Sequence, residues 1–518
     1  MARGGARGAM AGAVGSRVPA GVGTPVATAG YRPAGLWACF EALTRIPRPS
    51  KHEGAVTAFL EGFAEARGLE HSKDAVGNLV VRRPGSGGGE DAPAVVVQGH
   101  VDMVCEKNSD TVFDFFKDAL VLKEDPPGWL RAEGTTLGAD NGMGVATAMA
   151  LLDCDKEVKL PPLECLFTVD EETGLTGAFG LDGSLVTGKT LLNLDTEEWG
   201  ALYIGCAGGG ESELYLRDPA MEPVPSGHAA LDVTLKGLRG GHSGCDIHNY
   251  RGNALVLLAR AVAAVKARCP STRVASLLGG DKHNAIPREA FASLTLPEAD
   301  VSAAREVLAA QLEAFKLEYG REEPGLELDG ANTAAPANGL LPEAVAAGFL
   351  DLLTLLPYGP MKMSHAVEGL VETSSNVASI KLLEDGRSLQ IVCSTRSSLD
   401  GALEAVRAKI AAAGRLCGFE VKQDPAYPGW NPNPGSEVVA LAKEVLGGMT
   451  GKEPEVLAIH AGLECGIIGE KCPGTDMVSY GPTICNPHTP QETVKIETVE
   501  PFFDLTLKLL QRLADRKA

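Results

Sequence analysis

The chain has no Cys-x-x-Cys pair among its 12 cysteines, and several of them (Cys154, Cys165, Cys393) sit inside apolar runs. That excludes a small disulfide scaffold and predicts reduced, mostly buried thiols. Basic residues are in deficit: 47 Lys and Arg face 67 Asp and Glu, a formal charge of −20. Neutralising phosphates needs the opposite excess, so nucleic acid is excluded as a partner. No apolar run approaches a membrane span, so no membrane is expected either. Acid is missing from the whole start of the chain, the first being Glu41. Residues 1–30 are rich in Ala, Gly and Val, carry Arg3, Arg7 and Arg17, and lack the compact apolar core of a secretory signal. A disordered leader and an organellar transit segment both remain open. The expected location is cytoplasmic, with organellar import open and secretion excluded, and 1–30 are expected outside the fold.

What remains is globular in composition, 44% hydrophobic and 22% charged, and its 518 residues suit two domains. The stretch Val95–Val104, VVVQGHVDMV, places His100 and Asp102 at the end of an apolar run. Such a run, bounded by a Pro/Gly-rich loop, reads as a buried parallel strand, and ligands gather beyond the carboxyl ends of these strands. Residues two apart on an extended chain point the same way, so Asp102 can orient the imidazole or its neighbour. Taken alone, a buried His–Asp pair is more often plain core.

Four further stretches add candidates. GTTLGADNGMG, Gly134 to Gly144, sets Asp140 just before an apolar helix, with glycines that suggest a backbone bent to aim a side chain. The strand Leu163–Val169 runs straight into Asp170, Glu171 and Glu172. Clustered acids at a core strand end are costly unless a cation compensates them. The strand Thr190–Leu194 ends in Asp195, and far downstream GPTICNPHTPQE carries His488 in a Pro-rich loop. A capping Asp140 and an exposed loop His488 are the plain alternatives.

Together His100, Asp140, Glu172, Asp195 and His488 offer two imidazoles and three carboxylates. That set suits Zn²⁺, with Mn²⁺ and Co²⁺ as alternatives. Three carboxylates are nearly balanced by two divalent ions sharing a hydroxide, whereas one ion leaves excess negative charge. Two metals about 3.5–4 Å apart activate water and polarise a carbonyl. A proton shuttle that is not itself a ligand is then needed, and Glu171 is the natural one. His242, in the Gly-rich GGHSG loop, is a candidate oxyanion donor delivered by domain closure.

From about Tyr203 the pattern changes to two α+β sets in series, with helices over 253–267, 301–315, 341–356 and 399–413. The expected organisation is a catalytic domain over 31–212 and 401–518 with a second domain, 213–400, inserted.

The segments HVDMV, GTTLGADNG, DEETGLTGAFGL, NLDTEE…GCAGG, GGHSG, HAGLECG and GPTICNPHTPQE, in this order, resemble the dizinc peptidases, and within them the dipeptidase branch related to carnosinases and aminoacylases. The resemblance covers residues 33–515. It implies an α/β catalytic domain, with a mixed, mainly parallel sheet flanked by helices, and an inserted α+β lid domain. It implies two divalent ions bridged by Asp140, with His100 and Glu172 on different ions and Asp195 and His488 as remaining ligands. It makes Asp102 the carboxylate behind the ligands, Glu171 the general base and His242 the transition-state stabiliser. Asn284 (in HNAIPRE) and Arg396 (in STRSS) would hold the substrate; a lid-surface charge is the plain alternative for Arg396. The expected substrates are unblocked dipeptides, Xaa-His included. An N-acyl amino acid deacylase or carboxypeptidase on the same site is the alternative, and an inactive metal-binding scaffold a more distant one. Whether the lid pairs two copies into a homodimer stays open.

Overall fold

The computed structural model describes residues 17–365 and 367–517. It divides into two compact units. The first takes the chain up to Gly205, Asn433–Ala458, and everything from Ile467 on; the second is Cys206–Pro432 with Ile459–Gly466.

The first unit is built on an eight-stranded mixed sheet. Its order is Glu70–Lys73, Leu79–Arg83, Leu163–Thr168, Val95–His100, Thr190–Asn193, Asp476–Ser479, Ala201–Cys206, Glu455–Ile459. Val95–His100 runs parallel to both neighbours, and Asp476–Ser479 runs parallel to Thr190–Asn193. Every residue of Val95–His100 and Leu163–Thr168 is buried, which explains runs that are apolar rather than alternating. Helices Ala34–Leu43, Gly54–Glu65, Ala139–Leu152, Glu437–Thr450 and Ile496–Leu513 supply the rest of this core. Because the central strands are parallel, their carboxyl ends share one edge. His100, the Asp170–Glu172 segment and Asp195 therefore leave the sheet side by side.

One layer back from that edge the core is polar. Gln98 Nε2 donates to Thr168 Oγ1 at 3.1 Å, Asn193 Nδ2 donates to Gln98 Oε1 at 2.5 Å, and Ser479 Oγ donates to Asn193 Oδ1. All four side chains are buried. The row ties four strands together, and three of its members, Gln98, Thr168 and Asn193, lie two residues before His100, Asp170 and Asp195, so it fixes their register relative to one another.

Residues 1–16 of the expected leader lie outside the described residues, but the remainder corrects the expectation. Val22 and Thr28 are buried. The Glu41 carboxylate accepts from Val26 N at 2.9 Å, Thr28 N at 3.0 Å and Thr28 Oγ1 at 3.0 Å. The first acid of the chain thus anchors the segment before it.

The second unit holds a nine-stranded antiparallel sheet. Its main path is Glu327–Thr333, His228–Lys236, Ala290–Pro297, Arg273–Gly279, Val371–Leu382, Leu389–Ser397, Gly208–Leu216, Glu420–Lys422, and Gly359–Met363 also pairs with Val371–Leu382. The two α+β sets read from sequence meet where Gly279 faces Ile380, making one continuous sheet. The expected limits of 213 and 400 are too narrow. Gly208–Leu216 pairs along the whole of Leu389–Ser397 and with Glu420–Lys422 on its other side. Helix Asp400–Leu416 buries Val406, Ile410 and Ala413 in this unit's core. Among the described residues no helix is long and apolar enough to cross a membrane.

Candidate metal centre

Five segments of the first unit deliver the five expected ligands to one place. The two oxygens of Asp140 face two different imidazoles: Oδ1 lies 3.0 Å from His100 Nε2, and Oδ2 lies 3.2 Å from His488 Nε2. His100 Nε2 is also 3.3 Å from Asp195 Oδ1, and His488 Nε2 is 2.9 Å from Glu172 Oε2. Asp140 therefore stands between a His100–Asp195 pair and a His488–Glu172 pair. Ligand atoms of His100, Asp140 and Glu172 all fall within 4.8 Å of one another.

The local backbone explains these positions. Asp140 sits in the first turn of helix Ala139–Leu152, where Asp140 and Asn141 leave helical geometry and their peptide bond is cis. The Asn141 side chain fills the space a Cβ would need at Gly99 and at Gly144, 2.2 Å from Oδ1 in each case, and its Nδ2 donates to Leu194 O at 2.5 Å. The glycine at 144 is thus a close-approach requirement. Asp170 and His488 adopt left-handed backbone, φ 48° and 60°, which non-glycine residues seldom do. The His488 side chain is 51% exposed, as its Pro-rich loop suggested.

Asp102 is fully buried and works as a hub. Its Oδ1 lies 3.3 Å from His100 Nδ1 and accepts from Glu171 N at 3.1 Å; its Oδ2 accepts from Ser50 Oγ at 2.8 Å and Glu172 N at 3.2 Å. It thereby orients one imidazole and the strand end that carries both Glu171 and Glu172. Asp102 also lies in a second acidic group with Glu53 and Asp170. Protein N–H and O–H groups satisfy that group: Lys51 N and Asp170 N donate to Glu53, and Thr173 and Thr176 hydroxyls donate to Asp170.

The electrostatics of the five-residue cluster ask for a cation. Burial raises the Glu172 pKa, and Asp140 raises it further. Burial pushes Asp195 up to about 7 against the pull of His100, and burial with Asp140 and Asp195 pushes the neighbouring Glu197 up to about 8. Hydrogen bonds to Asp140 and Glu172 raise His488 to about 11. Burial opposes charge on His100, yet Asp195, Asp102 and Asp140 outweigh it and hold that pKa well above the ordinary range. Glu172 Oε1 is buried without a hydrogen-bond partner. Oxygen and imidazole donors, crowded like charge and an orphaned carboxylate oxygen together fit divalent ions.

His242, Asn284 and Arg396 belong to the second unit. His242 pairs with Ala285 in a short ribbon, and Ser243 N donates to Asn284 O at 2.8 Å, so the GGHSG loop and Asn284 are neighbours. His242 Nδ1 accepts from Gly244 N at 3.2 Å and Cys245 N at 3.0 Å. With Nδ1 an acceptor twice over, the neutral ring carries its proton on Nε2 and can donate there. Burial and then Arg396 lower the His242 pKa to about 4. Arg396 is buried, 7% exposed, which rules out a mere surface charge; its Nη1 lies 3.2 Å from the Tyr427 hydroxyl. His460, from the HAGLECG segment, bonds Ser374 Oγ through Nε2 at 2.7 Å.

Sequence reading passed over Arg48, Asn141, Glu197 and Glu492. Asn141 and Glu492 lay inside stretches singled out for other residues; Arg48, in a Pro-Arg-Pro turn, gave no signal.

The model of peptidase family M20/M25/M40 matches residues 96–512. The cytosol non-specific dipeptidase of Escherichia coli is 40% identical over 483 residues, 93% of this chain and 98% of that one. The aminoacylhistidine dipeptidase of Vibrio alginolyticus, also 40% identical, superposes with a TM-score of 0.86 over 94% of this chain and 98% of that one. A tripeptidase from Staphylococcus aureus, 15% identical with a TM-score of 0.55 over 93% and 98% of the two chains, shares the fold. With a family model covering most of its length and relatives matched nearly end to end, the chain belongs to peptidase family M20/M25/M40.

Proposed function

We propose that this protein is a dizinc dipeptidase, hydrolysing unblocked dipeptides, Xaa-His among them. The observation that carries the reading is Asp140, whose two oxygens face a His–carboxylate pair on either side. The Escherichia coli and Vibrio relatives, both named as dipeptidases, support the substrate class. His100 and Asp195 would hold one ion, His488 and Glu172 the other, with Asp140 shared. When bound, the ions supply Lewis acidity and a more acidic water.

The chain's own groups do the rest. Glu171, whose backbone Asp102 fixes, takes a proton from the attacking water and returns it to the leaving amine. His242 donates from Nε2 to the carbonyl oxygen as it gains charge. Arg396 pairs with the substrate's terminal carboxylate and Asn284 with its backbone. The inserted unit acts as the lid. The relative's name also supports a cytosolic location.

Chelator-stripped protein tested on β-Ala-His, Gly-His and an N-acetyl amino acid, with and without Zn²⁺ or Mn²⁺, decides the matter. Metal-restored dipeptide cleavage that Glu171→Ala abolishes is the expected result. Cleavage of the acyl substrate alone would shift the function to a deacylase, and no turnover despite tight metal binding would leave a scaffold.

A further inference from the structure

We infer that Glu492 and Arg48 are positioning residues that lock the Asp140 loop to the two histidine-bearing segments, so that the ligands form one pre-set cage. The inference deepens the metal-centre reading above and rests on it. Glu492 is buried and accepts four successive backbone N–H groups: Leu137 and Gly138 on Oε2 at 2.8 and 2.9 Å, Ala139 and Asp140 on Oε1 at 2.8 and 3.3 Å. These donors open helix Ala139–Leu152 and have no partner within it. A cap from the neighbouring residues would satisfy them as well. Here the carboxylate comes instead from the loop that carries His488, four residues earlier in sequence.

Arg48 holds the same loop by its carbonyl side. Its Nη2 donates to Gly138 O at 2.5 Å, while Nη1 donates to Val101 O at 3.0 Å and Asp102 O at 2.9 Å. One guanidinium therefore ties the Asp140 loop to the segment that follows His100. Gly138 lets it approach: its φ is 65°, and a Cβ there would stand 2.4 Å from Arg48 Nη2. Glu492 thus links the Asp140 loop to the His488 segment, and Arg48 links it to the His100 strand end. In the proposed centre Asp140 is shared by both ions, and Glu492 and Arg48, which are outside the ligand set, hold its loop from both sides.

The test is a metal titration of the full-length, metal-stripped protein with Zn²⁺ by calorimetry and with Co²⁺ by visible absorption. It compares wild type, Glu492→Gln, Arg48→Lys and the exposed control Glu497→Gln. Gln keeps the size of Glu492 but turns an NH₂ group toward two of the four donors. Glu492→Gln should bind at least one ion about 10–100-fold more weakly and change the Co²⁺ spectrum, with kcat lowered more than KM is raised. Arg48→Lys should lose affinity in the same direction, and Glu497→Gln should match wild type. Wild-type affinity and spectrum in Glu492→Gln, even with a lower melting temperature, would reduce Glu492 to a helix cap and overturn the inference. If Glu492→Gln does not fold, Arg48→Lys decides by the same criterion. Wild type that binds no ions would sink the metal-centre reading and this inference with it, a pattern distinct from tight binding that the variants leave unchanged.

Discussion

His242 illustrates how two backbone N–H groups can assign a side chain its chemistry. Gly244 and Cys245 donate to Nδ1, which leaves the proton of the neutral ring on Nε2, the nitrogen that the proposed reaction would turn toward a developing oxyanion. His242→Ala should lower kcat by about 10²–10³-fold, the scale of a lost oxyanion donor, with little change in KM. A loss seen mainly in KM would make His242 a ground-state binder. Burial and Arg396 keep His242 near 4, and burial with Arg396 and His242 lowers the neighbouring His460 to about 3. The sign for stability follows from linkage. Below about 6.5 the unfolded chain protonates these imidazoles, and the folded chain does not until far lower pH. Stability should therefore fall as pH drops from about 6.5 toward the folded values. Urea melts at pH 7 and pH 5 should show a smaller drop in His460→Asn than in wild type; equal drops would show that His460 does not titrate in this way.

At the scale of elements, the site depends on four parallel strands ending in register, and the buried Thr168–Gln98–Asn193–Ser479 row is what the structure offers to fix it. Replacing Asn193 by Ala removes the donor to Gln98 Oε1 and leaves the Ser479 hydroxyl without the acceptor it has in the row. Each unsatisfied group costs about 1–3 kcal/mol, so urea unfolding should register a loss of at least that size. A loss under about 0.5 kcal/mol would mean that water or neighbouring groups replace the row. This row also marks how far sequence carries. Val95–His100 and Leu163–Thr168 were legible because strands buried on both faces are apolar throughout, and the acids and imidazole at their ends stood out against that background. A glutamine or asparagine inside such a run signals a partner, yet which partner depends on strand order, which periodicity does not encode. Glu492 escaped for the same reason: its donors lie more than 350 residues away in sequence. Helix Asp400–Leu416 was visible as a helix, but an amphipathic pattern does not say which sheet it covers, so the boundary fell at its start instead of at Pro432. The segment before Glu41 read as leader because it lacks acid; Val26 and Thr28 within it are held by the Glu41 carboxylate, an acceptor that lies beyond the segment itself.

Across the whole molecule, charge and architecture make the effect of metal local. The chain is strongly acidic at −20, and the clustered acids Asp140, Glu172 and Asp195 lie in the first unit, whose hydrophobic core is separate from that of the second. Both groups of metal-capable side chains found among the described residues lie in that first unit. An ion that binds the folded cluster and not the unfolded chain stabilises by mass action, about 2.7 kcal/mol per site at a hundred times its dissociation constant. It also offsets the burial and the mutual repulsion that raise Asp195 and Glu172. The strands nearest the cluster should gain most, because opening them would release the ions. Hydrogen exchange of stripped protein against Zn²⁺-loaded protein should show slower exchange in Val95–His100, Leu163–Thr168 and Thr190–Asn193. The sheet strands His228–Lys236 and Ala290–Pro297 of the second unit should exchange at unchanged rates. At the magnitude above, the protection gained corresponds to about a hundredfold slower exchange wherever opening requires release of one ion. Equal slowing in both sheets would show that metal stabilises the molecule as a single cooperative body. Absence of slowing at the three strands would show that the ions bind somewhere other than the cluster at their carboxyl ends.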